Sequence, residues 1–154
     1  MKKTFATITI LSLLFFSCNK DSVNTRPSLT LKSTSPDVVP INGSLDAKLT
    51  FGDKEGDLDS IYIYKVRLNK QVVQTVRDTL KFLIPDYDKN TTGEINMSLN
   101  YNNHLVSALN PPNIPGTTPP QKQPDTLLLK FIVKDKAKNV SDTAYSSTII
   151  VLRN

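Results

Sequence analysis

Four carboxylates fall within seven residues in Asp53-Lys54-Glu55-Gly56-Asp57-Leu58-Asp59, the densest acidic stretch of the chain. Acids alternating along a loop either gather around a hard cation, which takes about six to eight oxygens, or keep a turn soluble. The spacing is not that of an EF-hand loop, because Leu58 stands at the sixth-position glycine and Tyr64 at the terminal glutamate. Gly56 is suited to a positive φ in a solvated turn. A second run, Asp86-Tyr87-Asp88-Lys89-Asn90-Thr91-Thr92-Gly93-Glu94, opens like a cation loop. Its glycine comes two positions late and Met97 occupies the place of the bidentate glutamate, so it reads as a turn into the next strand.

Other residues able to do chemistry are scarce. The 154 residues include one Cys, one His, no Trp and five Gly. One Cys forms no internal disulfide, and with one His it makes no Cys/His zinc site. Gly-rich phosphate loops and a G-x-S-x-G nucleophile elbow are missing. His104, in Tyr101-Asn102-Asn103-His104-Leu105, has no nucleophile beside it in sequence and is expected at the surface. No catalytic residues are assigned, and the expectation is a protein that is not an enzyme.

Cys18 follows a charged start (Lys2, Lys3) and an apolar run from Phe5 to Phe16, with the small residue Ser17 just before it. That is the architecture of an export signal, and an apolar run of about a dozen residues is too short to span a bilayer of about 30 Å. Leu14-Phe15-Phe16-Ser17-Cys18 resembles the lipobox of bacterial lipoproteins, with Phe15 where Leu is more usual. The resemblance implies cleavage before Cys18, diacylglyceryl modification of its thiol, and a membrane partner reached through that anchor. Asn19 rather than Asp after the Cys implies outer-membrane sorting, in an envelope of Gram-negative type. Removing residues 1–17 takes away two lysines, so the charge falls from +5 to (19 − 2) − 14 = +3. A charge that small, spread along the chain, is no nucleic-acid footprint.

The remaining sequence must position any loop chemistry with strands. Residues 18–35 are expected to be the lipidated Cys and a polar tether, with Leu29-Thr30-Leu31 as a possible first strand. Over 36–154 the pattern is period two. Leu45–Phe51 alternates, Ile61–Leu68 is β-branched and aromatic, and Asn69-Lys70-Gln71 suggests a hairpin turn into Val72–Val76. Leu80–Ile84, Glu94–Tyr101, Leu127–Val133 and Ser147–Leu152 follow. No stretch after residue 18 carries sustained helical periodicity. The prediction is all-β, an antiparallel sandwich of about seven strands. Its expected core is Leu49, Phe51, Ile63, Phe82, Ile95, Leu99, Leu129, Phe131, Val133, Ile149 and Val151. Residues 110–124 hold six of the ten prolines and read as an exposed loop between strands. That loop is either a docking element or an inert insertion.

Two segments resemble cadherin-like and immunoglobulin-like domains of bacterial surface proteins. One is the acidic loop 51–59. The other is Val133-Lys134-Asp135-Lys136-Ala137-Lys138-Asn139-Val140-Ser141, similar to a V-x-D-x-A-G-N-x-S turn with Lys138 at the glycine. In some such relatives strand-end carboxylates bind Ca²⁺, which implies Asp53, Glu55, Asp57 and Asp59 with Asp135 as ligands here. Five Asp-[Ser/Thr]-apolar triplets, including Asp59-Ser60-Ile61, Asp78-Thr79-Leu80 and Asp142-Thr143-Ala144, resemble an O-glycan acceptor motif of Gram-negative envelope proteins. The expected function is a lipid-anchored, non-catalytic binding or structural module with a protein or glycan ligand at its loops. The alternatives are an accessory hydrolase of polymer breakdown and a subunit of an envelope assembly.

Overall fold

A computed structural model describes residues 26–87 and 91–154. The signal segment, Cys18, Asp88 and Asn90 lie outside the described residues. The chain folds as an all-β sandwich of two sheets. Eight strands are present among the described residues, against the seven or so expected: β1 (Ser28–Ser35), β2 (Val38–Val39), β3 (Ser44–Gly52), β4 (Leu58–Arg67), β5 (Thr79–Leu83), β6 (Thr92–Asn100), β7 (Asp125–Asp135) and β8 (Ala144–Val151). The extra strand is β2, whose two residues are too few to show a period. One sheet has the order β1-β3-β6 and the other β2-β8-β7-β4-β5. Every pairing is antiparallel except β2 with β8.

Alternation explains which side chains meet. Successive residues of a strand point to opposite faces, so β7 turns Leu127, Leu129, Phe131 and Val133 inward, where all are fully buried. They pack with Leu45 and Leu49 of β3, Ile61 and Ile63 of β4, and Ile149 and Val151 of β8. Each such side chain contributes about 1.5–3 kcal/mol through removal from water.

Of the expected core, Phe51, Phe82 and Ile95 are only partly buried. The reason is topological. β5 and β6 are edge strands of opposite sheets, and the sandwich stays open between them as a groove of about 580 Å³ that these three line with Met97 and Tyr87.

Three other expectations are corrected. β1 begins at Ser28 and pairs with β3 along its length, so the sheet starts ahead of residue 36. Val72–Val76 forms no hairpin with β4, whose partners are β5 and β7. Asn69 is instead tied to β7, accepting from Thr126 N at 2.8 Å and donating to Pro124 O at 3.0 Å. The following segment then reaches across to 107–109, where Val76 N donates to Ser107 O and Leu109 N to Gln74 O. Helical structure is not wholly missing either, because Tyr101–Leu105 makes one π-helical turn. Asn100 Oδ1 caps it by accepting from Asn102 N and Asn103 N.

The proline-rich loop closes on itself. Ile114 N donates to Gln121 O, Gln123 N donates to Pro112 O, and Gly116 takes a positive φ of 78° at the tip. Its base is held by the most buried ion cluster of the described residues. Asp125, fully buried, accepts from Ser107 N at 3.0 Å, from Ala108 N, from Arg67 Nε at 2.9 Å and from Arg153. Burial alone would raise the Asp125 pKa. The Ser107 amide, the Arg67 and Arg153 guanidiniums and the Ala108 amide outweigh it and hold the carboxyl below its ordinary value.

Candidate functional site

The acidic loop joins β3 to β4, and the β7–β8 turn lies against it at the same end of the sandwich. Asp53, 2% exposed, builds the loop. Its carboxylate accepts from Asp57 N at 2.9 Å and from Glu55 N at 3.4 Å, while its carbonyl accepts from Gly56 N. Gly56 has φ 63°, the left-handed conformation a turn of this kind needs. Asp135, at the end of β7, organises the second turn by accepting from Asn139 N and Asn139 Nδ2, each at 2.7 Å. Lys138 takes φ 73° in this turn. The two turns are then joined by Lys136 N donating to Asp57 O at 3.0 Å.

This scaffold gathers three of the five expected acids. Carboxylate oxygens of Glu55, Asp57 and Asp135 lie within 4.8 Å of one another, a group able to hold a metal ion. Asp57 Oδ1 is buried and accepts no hydrogen bond. Burial first, then the charges of Asp53 and Asp135, push the Asp57 pKa above its ordinary value, against the opposing pull of Lys136. Asp53 is spent on loop amides and is not among the three. Asp59 is also apart from them. It falls at a register shift of β4 between Leu58 and Ser60, and its carbonyl accepts from Ile84 N.

Tyr87 closes the groove side of the site. Its hydroxyl accepts from Leu58 N at 3.2 Å and its ring meets Phe51 edge-on, with centroids 5.7 Å apart. No sequence signal pointed to Tyr87, because its partners are 29 and 36 residues away in the chain (87 − 58 and 87 − 51).

His104 is partly buried rather than free on the surface. Its ring packs edge-on against Phe82 at 5.3 Å, and its Nδ1 accepts from Asn100 N at 2.9 Å. Burial, with Lys65 and Arg77 nearby, holds its pKa below the usual imidazole value, which suits the neutral form that accepts this bond. Of the acceptor-like triplets, Ser60 is fully buried and out of reach of any modifying enzyme in the folded state. Thr79 and Thr143 are exposed.

No protein-family profile and no curated protein sequence matches the chain. Solved structures of a β-glucosidase from Listeria innocua, in complex with glucose and with gluconolactone, are similar at a TM-score of 0.40 and 14% identity over 84% of the chain. A D270A mutant of it with laminaribiose gives 0.39 and 13% over 83%. The chain spans 16% of the length of these enzymes.

Proposed function

We propose that this chain is an envelope lipoprotein, anchored through Cys18, whose sandwich serves as a non-catalytic binding module with Ca²⁺ at its acidic end. The observation that carries the cation is the convergence of Glu55, Asp57 and Asp135 within 4.8 Å. Three carboxylates brought that close repel one another, and a divalent cation converts the repulsion into attraction. Main-chain carbonyls and water would complete the six to eight oxygens Ca²⁺ takes. Bound there, the ion would tie the β3–β4 loop to the β7–β8 turn and make that end of the sandwich a rigid platform for a ligand. The immunoglobulin-like and cadherin-like resemblance of both turns is in line with this reading.

Calorimetric titration with Ca²⁺ tests it. Binding heat and a higher melting temperature at millimolar Ca²⁺, both lost in Asp57→Asn, are expected. No heat and an unmoved melting temperature sink the cation. Turnover of any member of a glycan or peptide library would sink the non-catalytic part and favour the accessory hydrolase.

A further inference from the structure

We propose that the outward face of the five-stranded sheet is a docking surface for a linear acidic polysaccharide. Register places its key side chains in rows across the strands. Lys81 of β5, Tyr62 of β4 and Ile132 of β7 are neighbours in one row, and Tyr64, Lys130 and Tyr145 in the next. Lys134 stands opposite Ser60 one row further along. At the outward positions of β4 from Ser60 onward, and of β5 and β7, there are three lysines, Lys81, Lys130 and Lys134, and no carboxylate. The two aspartates of β7, Asp125 and Asp135, point inward and are buried.

Two of the three charges stand over aromatic rings. Lys81 Nζ is 5.6 Å from the centroid of the Tyr62 ring, and Lys130 Nζ is 5.8 Å from that of Tyr145. The Ser60 hydroxyl beside it, with the ammoniums of Lys81 and Lys134, holds the Tyr62 phenol below its usual pKa. The face is thus electropositive.

Shape selects the class of polyanion. Tyr62 and Tyr64 are two residues apart, about 6.6–6.8 Å along a strand, and Lys130 and Lys134 about 13 Å apart. This is a flat track of rings and cations, suited to a chain whose units each offer an apolar face and, at intervals, a carboxylate. An anionic bilayer fits it less well. At the outward positions of β4, β5 and β7, Val66, Leu128 and Ile132 are half-buried and only Leu83 stands well exposed, which is too little apolar surface to insert into an acyl layer. Nucleic acid, with a phosphate every few ångströms, calls for a denser basic patch.

Affinity electrophoresis of the full-length chain in detergent, through gels holding polygalacturonate or neutral dextran, tests the proposal. Retardation by polygalacturonate alone, relieved by salt, is expected. Combined Lys81→Ser, Lys130→Ser and Lys134→Ser should weaken it about tenfold, as the loss of three charge contacts at a surface would. Tyr64→Ser with Tyr145→Ser should weaken it at unchanged charge, and Lys48→Ser, on the other sheet, should leave it intact. Circular dichroism confirms that each variant is folded. The proposal is overturned if polygalacturonate does not retard the chain, or if the triple-lysine variant is retarded equally. It is also overturned if the face instead gives a lysine-dependent preference for phosphatidylglycerol vesicles or a single-stranded oligonucleotide.

Discussion

Arg67 of β4 and Asp125 of β7 form an ion pair at 2.9 Å with side chains only 6% and 0% exposed. Asp125 also holds Arg153 near the C-terminus and two amides of the segment that leads into the proline-rich loop. One carboxylate thus fastens three parts of the chain distant in sequence. Asp125→Leu leaves the Arg67 and Arg153 guanidiniums buried without their carboxylate and should cost about 3–5 kcal/mol, seen as a large drop in the denaturant midpoint, whereas Arg67→Met leaves Asp125 paired with Arg153 and should cost less. The pH dependence has a definite sign. The folded pKa of Asp125 is lowered, so its stabilisation is present above the ordinary carboxylate pKa and is lost as pH falls through the folded value. Acid unfolding of Asp125→Leu should therefore lack part of the wild-type slope.

Lys65 gives the opposite limb of the profile. It is 5% exposed, donates to Val106 O at 2.7 Å, and burial lowers its pKa to about 8. Between that value and 10.5 the unfolded chain binds more protons than the folded one, so stability rises with pH. The rise is at most about 3 kcal/mol. Thermal melts from pH 7.5 to 10 should show it as a difference from Lys65→Met, which lacks the titrating group. A constant difference across that range would contradict the assignment.

At the acidic end, Asp57 has a raised folded pKa, so its ionisation works against folding as pH climbs above the ordinary value. Asp57→Asn removes that cost. Without Ca²⁺ at neutral pH, the variant should melt higher than the parent, and the order should reverse in millimolar Ca²⁺. Differential scanning calorimetry with and without chelator reads both halves of the prediction.

Lipidation is read by fractionation. Cys18→Ala should move the chain from the membrane to the soluble fraction and abolish labelling by palmitate. A variant that stays membrane-bound and still takes up label elsewhere would refute the anchor.

Strand placement was legible because period-two burial is local. The expected run Leu127–Val133 lies within β7, and Leu45–Phe51 within β3. Pairing was less legible. The turn-like Asn69-Lys70-Gln71 suggested a hairpin, but Asn69 finds its partners at Pro124 and Thr126, more than fifty residues away. The acids were likewise visible as a group but not by role. Asp53 and Asp57 look alike in sequence, and only the fold makes Asp53 the acceptor of loop amides while leaving Asp57 Oδ1 without a partner.

By itself the sequence determined the all-β class, the turn conformation at Gly56, and the inward stripe of each long strand. Each of these follows from φ preferences or alternation within a few residues. Tertiary structure alone decided that Glu55 and Asp57 meet Asp135, that Phe51, Phe82 and Ile95 line an open groove, and that three lysines share a sheet face with three tyrosines. Those relationships depend on which strands become neighbours and which become edges. Strand neighbours are chosen by long-range packing, which no local pattern of side chains encodes.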